Sequence, residues 1–189
     1  MKKFFARLFD RRLSRAALAA LIGLLFVLPQ TAQAHGPSRQ KVTQTVEIAA
    51  PPEKVWALVK DFANMSWHPA VAKTQAEGGN EPGAKRTLTL QSGGVIKEEL
   101  VKYEEPEKKL YYKINEVDPS VLPVSSYAAW LEVKPGANGG TLVEWKGGFY
   151  RSFTANDPPP EQSDEAAIKA VTGVYESGLA NLKKVAEGK

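Results

Sequence analysis

Four side chains that could perform acid–base or anion-stabilising chemistry lie in the middle of the chain: His68, Arg86, Glu98 and Tyr112. An imidazole titrates near neutral pH and can act as a general acid or base, whereas Arg and Tyr can stabilise a developing negative charge. Arg86 and Glu98 fall on neighbouring predicted strands, so we expect the two charges to meet. The pair could be a structural ion pair, contact a ligand or take part in catalysis. His68 could equally be a hydrogen-bonded residue at the rim of a pocket.

The rest of the composition excludes several kinds of chemistry. The 189 residues contain no Cys, which rules out disulfides, thiolate metal sites and a Cys nucleophile. The sequence has no G-x-S-x-G, H-E-x-x-H, P-loop or G-x-G-x-x-G motif. We therefore expect no cofactor, no resident metal and no assigned catalytic residue, and we leave open whether any reaction is catalysed.

The first 34 residues have the pattern of a secretory signal peptide. A basic segment ending at Arg15 precedes the 13 apolar residues 16–28, and Ala32-Gln33-Ala34 supplies a small-residue cleavage site. The apolar run is shorter than the roughly 20 residues of a membrane span. We expect cleavage after Ala34, a periplasmic location and no membrane span in the cleaved protein. An uncleaved anchor is the alternative.

Cleavage would leave His35 with a free α-amine beside its imidazole, a pair that can bind copper(II). Nothing in the sequence brings His35 close to His68, the second of the two histidines. Copper binding is therefore an open question. The leader also carries six of the 25 basic residues and one of the 21 acidic ones, so the remainder has a net charge of −1. This balance gives no electrostatic case for nucleic acid as a partner.

The remaining residues, 35–189, are predicted to form one α+β domain. Alternating apolar and polar residues predict seven strands, and a 3.6-residue period predicts a helix that begins at Pro51-Pro52-Glu53 and a long final helix. A turn or a single helical turn is expected at 65–69. The predicted strands cover 42–48, 71–78, 85–91, 95–103, 109–117, 126–133 and 141–150, and the long helix runs from 163 to about 186. Its apolar stripe comprises Ile168, Val171, Val174, Tyr175, Leu179, Leu182 and Val185.

That order of elements, and several segments within it, resemble the START/Bet v 1-like SRPBCC superfamily, specifically its polyketide cyclase/dehydrase-type branch. The resembling segments are EIAAPPEKVW at 47–56, DFANMSWHPAV at 61–71, RTLTL at 86–90, YKI at 112–114 and LPV at 122–124. The resemblance implies a helix-grip fold, in which a curved antiparallel sheet wraps around the long C-terminal helix. The leader and the segment 149–160 are also similar to MxaD-like periplasmic proteins linked to methanol oxidation.

A sheet wrapped around a helix can enclose a ligand pocket, and strand alternation predicts which side chains would line it. Most ligand pockets are apolar with a few placed polar groups. The predicted lining is Trp67, His68, Arg86, Glu98, Tyr112, Tyr127, Trp145 and Phe149. Several of these aromatic residues could instead be ordinary core.

Three functions are compatible with these patterns. The first, implied by the resemblance, is a non-enzymatic periplasmic accessory protein that assists methanol dehydrogenase and its cytochrome electron acceptor. The second is a cyclase- or hydrolase-like enzyme acting on a small hydrophobic substrate. The third is a carrier of a lipid or another small hydrophobic molecule.

Overall fold

The computed structural model describes residues 36–189. The predicted signal peptide at 1–34 and His35 lie outside this range. No helix in the described part of the chain combines the length and apolarity needed to cross a bilayer.

Seven antiparallel strands form one sheet in the order β1-β7-β6-β5-β4-β3-β2, so every strand after β2 pairs with its predecessor. β1 then closes against β7, with Val46 opposite Val143. The strands are β1 (Gln40–Ile48), β2 (Val71–Glu77), β3 (Lys85–Leu90), β4 (Val95–Glu104), β5 (Lys109–Val117), β6 (Val124–Pro135) and β7 (Thr141–Arg151). The curved sheet and the final helix confirm the predicted helix-grip architecture.

Two helices complete the fold. Helix α1 (Pro52–Val59) begins with Pro52. Backbone N–H groups in the first turn of a helix have no acceptor within the helix, so the N–H that proline lacks is not missed there. Helix α2 (Asp164–Glu187) begins where the Ser163 side chain accepts a hydrogen bond from the Ala166 N–H, and it ends at Gly188 in the left-handed conformation. α2 packs its buried face against β1 and β7.

Turns and bulges set the register that directs side chains inward. Gly93 adopts φ +87° in the β3–β4 hairpin, a conformation that favours glycine. Irregular pairing between Ser125 and Ala128 shifts the register of β6 against β7, and Ser126 has φ +48°. The side chain of Tyr127 is consequently buried.

The predicted elements all form, and their ends differ by a few residues. β6 begins two residues earlier than expected, at Val124, and residues 65–69 form turns. One position of the α2 stripe was wrong: Val185 is 45% exposed, whereas Ala186 is fully buried. A 3.6-residue period places the residue four after buried Leu182 on the same face, so a small alanine occupies the core position there.

Candidate functional site

The eight residues predicted to line a pocket meet in one buried cluster between the sheet and α2. Each of them is at most 5% exposed. The Trp67 ring lies 5.5 Å from that of Trp145, and the Arg86 guanidinium lies 5.2 Å from the ring of Tyr112. We call these residues, with Tyr175 added, the central cluster: Trp67, His68, Arg86, Glu98, Tyr112, Tyr127, Trp145, Phe149 and Tyr175.

His68 is hydrogen-bonded, as one of the two alternatives expected, but it is buried beneath α2 at 3% exposure and does not lie at a rim. Its Nδ1 accepts a hydrogen bond from the Ala70 N–H at 3.2 Å, and its Nε2 lies 3.1 Å from the Val174 carbonyl oxygen. These partners fix the tautomer that carries the proton on Nε2. Burial lowers the pKa of His68 below its usual 6.5, and the Arg86 charge lowers it further, against the opposing effect of the Val174 carbonyl. The imidazole is therefore neutral at pH 7, and both of its nitrogens are occupied.

Arg86 and Glu98 form the ion pair that strand alternation predicted. Arg86 Nε donates to Glu98 Oε2 at 2.5 Å, and the two side chains are 5% and 6% exposed. Arg86 also donates from Nη1 to the Phe62 carbonyl at 3.0 Å and stacks on the Phe62 ring at 4.1 Å. A buried charge is costly without a partner, and here each charge has one.

Three tyrosine hydroxyls and one indole form a hydrogen-bonded chain through the cluster. Trp145 Nε1 donates to the Tyr112 hydroxyl at 3.0 Å, which lies 3.4 Å from the Tyr127 hydroxyl. The Tyr127 hydroxyl lies 2.5 Å from that of Tyr175. Burial raises the pKa of all three tyrosines, so they remain protonated and cannot serve as bases at neutral pH.

Two glycines make room for this packing. A Cβ on Gly147 would overlap the Tyr175 hydroxyl, and one on Gly178 would fall 2.6 Å from His68 Cδ2. Trp145 stacks on Tyr175 at 4.4 Å with an interplanar angle of 11°. The centre of the helix grip is thus filled by the protein's own side chains.

Two recesses lie elsewhere on the described domain. One, of about 390 Å³, lies where the end of β1, the β6–β7 loop and the last turns of α2 meet, and includes Lys183 and Glu187 in its lining. The other, of about 170 Å³, lies between residues 63–66 and 71–74. Neither is lined by a residue of the central cluster. No group of three or more potential metal-ligating side chains occurs within residues 36–189.

Two structurally important residues were missed or only half predicted from the sequence. Tyr175 was expected in the α2 stripe, but the hydrogen bond of its hydroxyl was not. Arg151 is 5% exposed and donates to the carbonyls of Phe153 and Ala155 and to Asp164. It thereby ties the segment after β7 to the start of α2. Strand alternation could have predicted the burial of Arg151, because it lies two residues after Phe149 and four after Gly147, both of which face inward on β7.

The chain is similar to a known protein family and to several solved structures. The family described as polyketide cyclase / dehydrase and lipid transport matches residues 39–187. The solved structure of the protein XoxI from Bacillus cereus is 31% identical, with a TM-score of 0.65, and the match covers 77% of this chain and 94% of that one. A protein from Nitrosospira multiformis is 28% identical, with a TM-score of 0.63, over 76% of this chain and 94% of that one.

Norcoclaurine synthase from Thalictrum flavum, solved with dopamine and hydroxybenzaldehyde, is similar in fold alone. It is 15% identical, with a TM-score of 0.60, over 79% of this chain and 87% of that one. No protein of curated function matches the chain.

Proposed function

The chain belongs to the polyketide cyclase / dehydrase and lipid transport family, and from that premise we propose that it is a non-catalytic, exported accessory protein of methanol oxidation. In this role it assists methanol dehydrogenase and the cytochrome that accepts its electrons. It acts in the periplasm after cleavage of its leader.

The observation that carries the proposal is the closed central cluster. Acid–base catalysis needs a titratable group within reach of a substrate. Both nitrogens of His68 have internal partners, Glu98 is bound to Arg86, and burial raises the pKa of Tyr112. These contacts favour a binding or accessory role over an enzymatic one.

Two further observations support the methanol-oxidation context. The leader has the order of segments typical of export. The resemblance to MxaD-like periplasmic proteins spans the leader and the segment 149–160.

Deletion of the gene tests this role in the cell. We expect methanol-dependent respiration to slow, while the purified dehydrogenase keeps its activity with an artificial dye, because the enzyme itself is unaltered. Respiration that continues at the same rate would contradict the proposal. Loss of the dye-linked activity would instead point to a role in making the dehydrogenase.

A carrier of a small hydrophobic molecule is the second candidate, and one buried donor favours it. Trp67 Nε1 is shielded from solvent and has no acceptor among the described residues, although Trp67 touches both His68 and Trp145. An unpaired buried N–H costs about 1–3 kcal/mol, which an acceptor on a ligand would recover. Native mass spectrometry of protein from its own periplasm tests this candidate: a copurifying molecule supports the carrier, and turnover of that molecule supports the enzyme.

A further inference from the structure

The outer face of the sheet, opposite the central cluster, carries aromatic residues between cationic ones. Lys102 pairs with Tyr111, Tyr111 with Trp130 and Trp130 with Lys146, so these four side chains stand side by side on β4, β5, β6 and β7. Lys41 on β1 and Arg39 just before it extend the same face toward the sheet edge. We call this set the outer patch: Arg39, Lys41, Lys102, Tyr111, Trp130 and Lys146.

The aromatic centre of the outer patch is a stacked pair that is only half-buried. Tyr111 and Trp130 stack with ring centroids 4.8 Å apart and an interplanar angle of 26°. Lys109 Nζ lies 5.5 Å from the Trp130 centroid. Tyr, Trp and Arg are the residues most enriched where protein interfaces concentrate their binding energy. A stacked pair of this kind presents a rigid apolar surface at little further cost in side-chain entropy.

The cations of the outer patch differ from their neighbours in having no acidic partner. Lys113 lies 3.1 Å from Glu99, and Lys134 lies 2.8 Å from Glu132. Arg39 and the three lysines of the outer patch are exposed and form no ion pair with any residue of the described chain. Since residues 35–189 carry a net charge of −1, this cationic surface is local and not a property of the whole domain.

We propose that the outer patch is a docking surface for an acidic face of a partner protein, with Tyr111 and Trp130 as its apolar centre and the unpaired cations as its rim. A polar, charged rim around an aromatic core is the usual anatomy of a protein interface, and complementary charge raises the rate of encounter. The identification rests on the proposed function, in which the partner is the dehydrogenase or its cytochrome.

The carboxylates on the same face favour a protein over a uniformly anionic partner. Glu99 and Glu132 point outward beside Lys113 and Lys109, within the same strands that carry the outer patch. With their ion pairs to Lys113 and Lys134, these carboxylates give the face charges of both signs, which a folded protein can match and a uniformly anionic lipid or nucleic-acid surface cannot.

The test compares two triple variants with the same change of charge. In the patch variant, Lys41, Lys102 and Lys146 are each replaced by Glu. In the control variant, the exposed and unpaired Lys54, Lys73 and Lys169 are replaced by Glu. Each cleaved protein is titrated against the purified dehydrogenase and, separately, its cytochrome, and its effect on methanol-dependent cytochrome reduction is recorded.

We expect the patch variant to bind at least about tenfold more weakly than wild type and the control to bind within about twofold of it. Trp130→Ala should also weaken binding about tenfold, with circular dichroism confirming that the domain remains folded. Binding of wild type should weaken as salt is raised, and the patch variant should lose most of that salt dependence.

The outcomes distinguish a failure of the docking surface from a failure of the proposed function. Equal binding by both triple variants would overturn the docking surface even if wild type accelerates electron transfer. Patch-dependent binding without acceleration would overturn the proposed function and leave the docking surface standing. Tighter patch-dependent binding to phosphatidylglycerol vesicles than to either protein would overturn the docking surface alone, whereas no binding of wild type to the dehydrogenase or to the cytochrome would overturn both.

Discussion

Gly178 lies directly against the imidazole of His68. A Cβ built on Gly178 would fall 2.6 Å from His68 Cδ2 and 2.9 Å from Trp145 Cζ3, closer than packed carbon atoms approach. The missing side chain in the middle of α2 is therefore what allows the two rings to reach the helix and His68 to bond to the Val174 carbonyl.

Gly178→Ala should destabilise the protein, although alanine is the better helix former. Overpacking of a filled core costs about 1–3 kcal/mol, and with a Cβ only 2.6 Å from the His68 ring we expect a cost above the roughly 1 kcal/mol gained in helix propensity. Gly173 provides the matched control, because it lies on the same helix, is exposed and leaves open space where a Cβ would stand. Gly173→Ala should stabilise by about 0.5–1 kcal/mol in urea unfolding. Stabilisation by both substitutions would show that Gly178 is not in tight steric contact with His68.

Glu98→Gln should destabilise far more than Glu99→Gln. The Glu98 side chain is 6% exposed and bound to Arg86, whereas that of Glu99 is 26% exposed. Breaking a buried pair costs about 3–5 kcal/mol, because it leaves Arg86 uncompensated, whereas weakening the partly exposed pair of Glu99 with Lys113 should cost at most about 1 kcal/mol. Urea unfolding of the two variants gives the comparison, and equal midpoints would mean that Arg86 does not depend on Glu98.

His68 should make the folded state less stable as the pH falls. Its pKa in the folded protein lies below the 6.5 of an unperturbed imidazole, so the unfolded chain binds the proton first. Stability is fully present above about pH 7 and declines as the pH passes downward through 6.5, by at most about 1.4 kcal/mol per unit. His68→Gln should flatten this dependence between about pH 7.5 and pH 5.5 in urea unfolding. An unchanged slope would refute the assignment of a buried neutral His68.

Gly147 and Tyr175 should be energetically coupled. A Cβ at Gly147 would overlap the Tyr175 hydroxyl, so Gly147→Ala should cost about 1–3 kcal/mol. Tyr175→Phe removes that oxygen and its bond to Tyr127, at about 0.5–1.5 kcal/mol. The double variant should be more stable than the sum of the two losses predicts. Simple additivity in thermal or urea unfolding would show that the two sites do not touch.

Local sequence patterns correctly predict whether a side chain is buried where burial follows from the period of a strand or a helix. Period two places Glu98 inward beside Ile96 and Leu100 and Glu99 outward, and the structure confirms both orientations. The apolar stripe of α2 likewise identifies Val171, Tyr175 and Leu182 as core. These predictions succeed because each depends only on residues a few positions apart.

The features that sequence reasoning missed depend on contacts between distant segments. The fit of His68 against Gly178 joins residues 110 positions apart, and nothing near either residue indicates it. The sequence gives only a weak indication of the outer patch: Tyr111 and Trp130 are large aromatic residues at solvent-facing positions of predicted strands. Their stacking becomes visible only with the β5–β6 register.

The accessory role is tested by methanol-dependent reduction of the cytochrome by purified dehydrogenase, measured with and without the cleaved protein. We expect faster cytochrome reduction with wild type, and the same acceleration with Tyr112→Phe, because the central cluster supports the fold and performs no chemistry. Dye-linked activity should not change. No acceleration by wild type would rule out the accessory role, and acceleration that disappears with Tyr112→Phe while the variant remains folded would show that the central cluster takes part in it.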